Sequence, residues 1–194
     1  MASILSSLRN TVITGFVLAG LLVVYLSQGG GFDQSAFVMW LFRWFHVLAG
    51  IMWIGILWYF NFVQIPNMGN IPDEQKPAIG KVIAPAALWY FRWGAMFTII
   101  TGLILAHLNG YLGSALVLAE GDRAIGIGMY LGTIMFLNVW VVIWPNQKRA
   151  LGIVEADAET KAKSARTAML FSRTNTLLSI PMLVSMTVAQ NAFA

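Results

Sequence analysis

Long apolar runs separated by short polar segments dominate the pattern along the chain. The runs cover about 11–27, 36–64, 87–109, 124–144 and 168 to near the C-terminus. A helix needs about 20 apolar residues to cross the hydrocarbon core of a bilayer, and these runs are close to that length or longer. The pattern therefore predicts an all-α integral membrane protein, a bundle of about five transmembrane helices.

Glycines and prolines mark the predicted boundaries between these helices. Glycines 29–31 end the first run, so we interpret 1–35 as an N-terminal signal-anchor helix with its loop and 36–194 as a four-helix membrane domain. The prolines and charges between residues 65 and 86 predict a loop. Pro145 predicts the end of the fourth helix, and 146–167 is then a soluble loop.

The positions of the basic residues predict the orientation of the bundle. Cytoplasmic loops are enriched in lysine and arginine, and the 146–167 segment carries Lys148, Arg149, Lys161, Lys163 and Arg166. Counting spans back from this segment places the N-terminus, with Arg9, in the cytoplasm as well. The C-terminus is then predicted on the periplasmic side.

The composition excludes several classes of function. Hydrophobic residues make up 58% of the chain and charged residues only 10%, against roughly 25% charged in a soluble domain. The basic residues lie between apolar runs, so nucleic-acid binding is not predicted. The chain has no cysteine, which excludes disulfides, thiolate metal sites, iron–sulfur clusters and covalent c-type haem attachment.

Two histidines are the candidates for chemistry, because ionisable groups inside a membrane are costly and tend to be functional. His46 and His107 are the only histidines of the chain, and both lie within predicted spans. At helical spacing Arg43, Gly50 and Trp53 share the face of His46, and Gly50 leaves room for a flat ligand. Two imidazoles on neighbouring helices suit the axial positions of a haem b iron, with Arg43 near a propionate.

A simpler interpretation of both histidines also stands. Polar side chains in membranes often donate a hydrogen bond to a neighbouring helix and do nothing more. Arg92 is expected to snorkel toward the interface, and the Gly128-x-x-x-Gly132 pattern is expected to serve helix packing. The methionines show no ligand-like cluster in the sequence.

Several motifs resemble the membrane domain of the bacterial membrane-bound urate hydroxylase, the urate oxidase N-terminal domain family. The first is FRWFHVLAGIMWIG at 42–55, and the second is LWYFRWG at 88–94, followed by Thr101-Gly102. Further along come GTIMFLNV at 132–139, IWPNQKR at 143–149, Asn175, and LSIP at 178–181. The resemblance covers roughly 37–190, and the Pro-Asn-Gln run is its most specific part.

This resemblance implies a membrane redox protein of the bacterial inner membrane, passing electrons near the periplasmic face. The family enzyme carries a cytochrome c domain, and we expect this chain to be a short form without it, so a urate-oxidase-type reaction would need a separate acceptor such as a periplasmic cytochrome c. Further histidines of the family pattern fall where this chain has Gly126 and Thr174, so only His46 is transferred. The alternative is a non-catalytic accessory subunit that packs against other subunits of a larger membrane complex.

Overall fold

The structure is a computed structural model that describes residues 2–30 and 33–189. Those residues form helices and connecting turns without any strand, which confirms the predicted all-α class. In chain order the helices are α1 Ala2–Leu5, α2 Leu8–Ser27, α3 Gln34–Asn70, α4 Lys76–Leu108, α5 Leu112–Leu116, α6 Arg123–Ala150 and α7 Ala158–Val188.

The chain divides into two compact units, Met1–Val38 and Met39–Ala194. In the first unit α2 begins after Ser7, whose hydroxyl accepts a hydrogen bond from the backbone N–H of Asn10. The positive φ of Gly30, +93°, follows the end of this helix. No residue of α2 is buried by the protein itself, as suits a helix whose apolar side chains meet lipid.

Four of the described helices are long and apolar enough to cross a membrane: α2, α3, α4 and α6. The sequence predicted about five such spans. The fifth predicted span corresponds to α7, which is 31 residues long but does not reach the same apolar character. The end of that predicted span, after Ala189, lies outside the described residues.

Helix α7 is less apolar because the face it buries is polar. Asn175 and Ser179 are fully buried. The Asn175 side-chain amide donates to the backbone carbonyl of Met135 at 2.9 Å and accepts from Asn138 at 2.9 Å, and the Trp58 indole donates to Ser179 at 3.0 Å. Interhelical hydrogen bonds of this kind hold helices together in an apolar surrounding. The polar residues of α7 therefore face the other helices.

Three long helices contain a wider, π-helical turn, and each such turn ends two residues before a proline. The pairs are Tyr59–Gln64 before Pro66, Ile79–Ile83 before Pro85, and Asn138–Ile143 before Pro145. Proline lacks an N–H and clashes with the carbonyl one turn earlier, and a wider turn removes that clash without ending the helix. The predicted loop over 65–86 is therefore limited to the connection at 71–75, and the prediction of a helix end at Pro145 is wrong.

The long soluble loop predicted at 146–167 is also wrong in its extent. Helix α6 continues to Ala150, and α7 begins at Ala158. The backbone N–H of Thr160 donates to the Asp157 carboxylate at 2.7 Å, which caps the first turn of α7. Only a short connection remains between the two helices.

The core of the second unit lies between α3, α4, α6 and α7. Its largest fully buried side chains include Trp53, Leu57, Phe91 and Met135. Helix α4 approaches α3 closely at Gly94, where an added Cβ would lie 3.2 Å from the backbone nitrogen of Trp53. This close crossing positions the side chains described next.

Candidate functional site

His46 projects from α3 onto the surface of α4. Its Nδ1 lies 2.9 Å from the backbone carbonyl of Thr98, and a longer contact of 3.3 Å joins it to the Thr101 hydroxyl. A carbonyl only accepts, so in the neutral ring Nδ1 carries the proton and donates it. Nδ1 thus makes the hydrogen bond to a neighbouring helix that the simpler interpretation predicted. The lone pair of Nε2 remains available for another partner.

A stripe of small residues on α4 makes room for this imidazole. Gly94, Thr98 and Gly102 follow one another at intervals of four residues. A Cβ on Gly102 would lie 2.9 Å from Cε1 of His46 and 3.1 Å from its Nδ1. Small residues at this spacing allow two membrane helices to approach closely. The sequence analysis did not single out this stripe, although its spacing is visible in the sequence.

The ring of His46 borders a half-open cavity of about 690 Å³ lined by α3, α4, α6, α7 and the segment between α4 and α6. Arg43, Gly50 and Trp53, the other residues predicted from the face of His46, also line it. Most of the remaining lining is apolar. Cavities that hold cofactors and small ligands measure roughly 300–1,000 Å³ and are mostly apolar, with a few polar groups that fix orientation.

Trp53 is the one predicted residue that is both in the core and on the cavity. Its side chain is 1% exposed, and its indole N–H has no hydrogen-bond partner among the described residues. A buried donor without a partner costs on the order of 1–3 kcal/mol. A ligand in the cavity that accepts this hydrogen bond would remove that cost.

Arg43 and Tyr111 lie on the same border of the cavity, toward the loop that follows α4. Burial raises the pKa of the Tyr111 hydroxyl, while the charge of Arg43 acts in the opposite direction and Asp122 adds to the rise. Tyr111 therefore stays protonated near neutral pH and presents an O–H donor beside a guanidinium. Two such groups suit a carboxylate at the border of an otherwise apolar cavity.

The structure does not bring the second histidine to this cavity. His107 lies on α4 five residues beyond Gly102, roughly 7.5 Å along the helix axis. It is exposed and is not among the described residues that line the cavity. A role for His107 as an axial ligand stays a prediction without support from this arrangement.

Methionines from two helices meet at the cavity, which the sequence analysis missed. Met129 of α6 and Met182 and Met186 of α7 belong to the lining. They lie far apart in the sequence, so no local spacing reveals them. Met186 packs against Gly128, where an added Cβ would lie 3.2 Å from its sulfur, whereas Gly132 borders the cavity with no atom within 4 Å. Of the predicted glycine pair, only Gly128 makes a close helix contact.

The described residues contain no group of three or more His, Cys, Asp or Glu side chains that could hold a metal ion. The donors at the cavity are one imidazole and several thioethers. That set would suit an iron that a porphyrin already holds, since few ligands are then needed from the protein.

The C-terminal part of this fold, with α6 and α7, matches a known family. Residues 114–194 match the urate oxidase N-terminal family. This match confirms the resemblance over that segment, which contains the Pro-Asn-Gln run and Asn175. The urate oxidase N-terminal match thus includes the α6 and α7 walls of the cavity, while His46 and the small-residue stripe of α4 precede it. No curated protein and no solved structure matches the chain.

Proposed function

We propose that this chain is a membrane redox protein related to the urate hydroxylase membrane domain, with a b-type haem bound in the cavity beside His46. The observation that carries the proposal is the state of the imidazole. Its Nδ1–H is held by the Thr98 carbonyl, so Nε2 is the free, basic nitrogen at a large apolar cavity. Histidines that bind metals are generally oriented in this way by a hydrogen bond from the other ring nitrogen.

The rest of the cavity supports the same ligand. Its volume of about 690 Å³ is in the range of cofactor sites. Arg43 and Tyr111 would bind a propionate at the border, and Trp53 would donate to an acceptor inside. Methionine thioethers bind iron in some haem proteins, so Met129, Met182 and Met186 would be the candidates to hold it together with His46.

A haem bound here would supply one-electron transfer. The protein's own part is to orient His46, to exclude water with the apolar lining, and to neutralise the propionate charge with Arg43. The cavity lies at the end of the bundle opposite Lys148 and Arg149. If those cations face the cytoplasm, the cavity is near the periplasmic side of a bacterial inner membrane, within reach of a periplasmic cytochrome c.

The test is a reduced-minus-oxidised absorption spectrum of the purified full chain, expressed in haem-replete cells. We expect a b-type spectrum in the wild type that is lost in His46→Ala. His107→Ala is the matched control, because it removes an exposed imidazole from the same bundle, and its spectrum should be unchanged. Loss of the spectrum in both variants, or in neither, would contradict the assignment to His46.

The alternative function, a non-catalytic accessory subunit of a larger membrane complex, makes the opposite prediction. A protein that only packs against partners would be colourless when pure and would co-purify at fixed stoichiometry with other membrane subunits. Under that alternative His46→Ala would weaken the contact between α3 and α4 without any spectral change.

A further inference from the structure

Arg92 is a buried cation on α4, six residues before Thr98, the first residue of this helix that lines the cavity. Its residue is 9% exposed, and its guanidinium carbon lies 3.4 Å from the centroid of the Trp144 ring. The sequence predicted that this side chain snorkels to the interface. There it packs over an indole between α4 and α6, where the flat faces of the two groups meet.

The charge of Arg92 has no acidic partner in the part of the chain that the structure describes. Within residues 2–30 and 33–189, Lys76 and Asp73 form an ion pair, and no carboxylate pairs with Arg92. Its Nη1 is buried and lacks a hydrogen-bond partner among the same residues. A buried arginine in a membrane protein is costly unless an opposite charge or an acceptor satisfies it.

A second cation lies on the same indole. Lys148, one turn beyond Trp144 on α6, has its Nζ 5.7 Å from the ring centroid. Gln147 is in the same turn, and its buried side-chain oxygen also lacks a partner among the described residues. Trp144 ends the apolar run of α6, and tryptophans at such positions lie at the level of the lipid headgroups.

We propose that Arg92, Lys148 and Trp144 form a binding site for an oxyanion of the phosphate class, supplied by the headgroup of an anionic phospholipid. A guanidinium stacked on an aromatic ring can still donate a hydrogen bond from its edge to a phosphate. Basic pockets between membrane helices on the cytoplasmic side are suited to such headgroups. The site is separate from the His46 cavity and does not depend on haem.

The experiment is native mass spectrometry of the purified full chain in detergent, titrated with dioleoyl phosphatidylglycerol. Parallel titrations use zwitterionic phosphatidylcholine and inorganic phosphate. We expect one saturable phosphatidylglycerol site in the wild type. Arg92→Gln should weaken it at least tenfold, since a charged hydrogen bond is lost, and Lys148→Gln about fivefold.

Arg149→Gln is the matched control, because it removes the same charge from the next, exposed residue of α6 and should change the affinity less than twofold. If Arg92→Gln does not fold, the test is the difference in phosphatidylglycerol affinity between Lys148→Gln and Arg149→Gln. Phosphate binding with the same residue dependence, but without lipid binding, would support the oxyanion site and assign it to a soluble anion. Equal affinities for wild type, Lys148→Gln and Arg149→Gln would overturn the proposal.

Discussion

Replacing Gly102 by alanine tests whether the contact between α4 and His46 controls the cavity. The new Cβ would lie 2.9 Å from Cε1 of His46, and ordinary contact begins near 3.4 Å, so the ring must move by about 0.5 Å. The bond from Nδ1 to the Thr98 carbonyl, now 2.9 Å, would then fall outside good hydrogen-bond geometry.

The expected effect differs between stability and cofactor binding. Losing the hydrogen bond costs about 0.5–1.5 kcal/mol, but alanine gains up to about 1 kcal/mol over glycine within a helix. The unfolding free energy of Gly102→Ala should therefore stay close to that of the wild type. Haem affinity should fall by about 10–100-fold, because the imidazole loses the partner that orients it.

The assay is haem titration of the purified apoprotein, together with denaturant unfolding of the same samples. Gly55→Ala is the matched control: Gly55 also borders the cavity, and an added Cβ there meets no atom within 4 Å. Gly55→Ala should gain the stability that alanine gives a helix relative to glycine, and its haem affinity should be unchanged. The reasoning is refuted if Gly102→Ala and Gly55→Ala bind haem equally well.

Four further predictions follow from other parts of the structure. Gly50→Trp should abolish haem binding and leave helicity by circular dichroism unchanged, because its side chain would fill the cavity. Asn175→Leu should lower the unfolding free energy in detergent by about 2 kcal/mol, since two interhelical hydrogen bonds are lost. Hydrogen bonds from the first turn of α7 lower the pKa of Asp157 in the folded protein. The Asp157 carboxylate therefore stabilises the fold above its unfolded pKa near 4, and this stabilisation is lost as the pH falls through the lower folded pKa. Between about pH 5 and pH 3 the midpoint temperature of thermal unfolding should therefore fall less steeply in D157N than in the wild type. In spheroplasts, a membrane-impermeant thiol reagent should label Val117→Cys and not Val154→Cys, because the predicted orientation places the two connections on opposite sides of the membrane.

The apolar runs were sufficient to predict the helices, but not where they end. Proline was interpreted as a helix breaker at Pro66, Pro85 and Pro145, whereas each is preceded by a wide turn that keeps the helix continuous. A proline can end a helix or be accommodated by a wider turn, and hydropathy does not distinguish the two outcomes.

Helix α7 shows a second limit of hydropathy. Its serines and Asn175 lower its apolar character and are buried against the other helices, where Ser172, Asn175, Ser179 and Ser185 find hydrogen-bond partners. Asn175 illustrates the point, since it is fully buried and bonded on two sides. A count of apolar residues does not distinguish this helix from a soluble amphipathic one.

For the candidate site, the sequence predicted His46 and the three residues on its face, all of which border the cavity. The residues of α4 that contact His46, and the methionines that line the cavity, were harder to predict because they lie far from His46 in the sequence. The spacing of Gly94, Thr98 and Gly102 was the one available signal. The burial of Arg92 depends on Trp144, 52 residues later, and no local pattern indicates it.

The central claim is that the cavity beside His46 holds one b-type haem. The most direct measurement is the haem content per polypeptide, by the pyridine haemochrome assay, of the full chain purified from haem-replete cells. The account predicts about one haem b per wild-type chain and close to none in His46→Ala. A wild-type protein that is folded, by circular dichroism, and free of haem would contradict it.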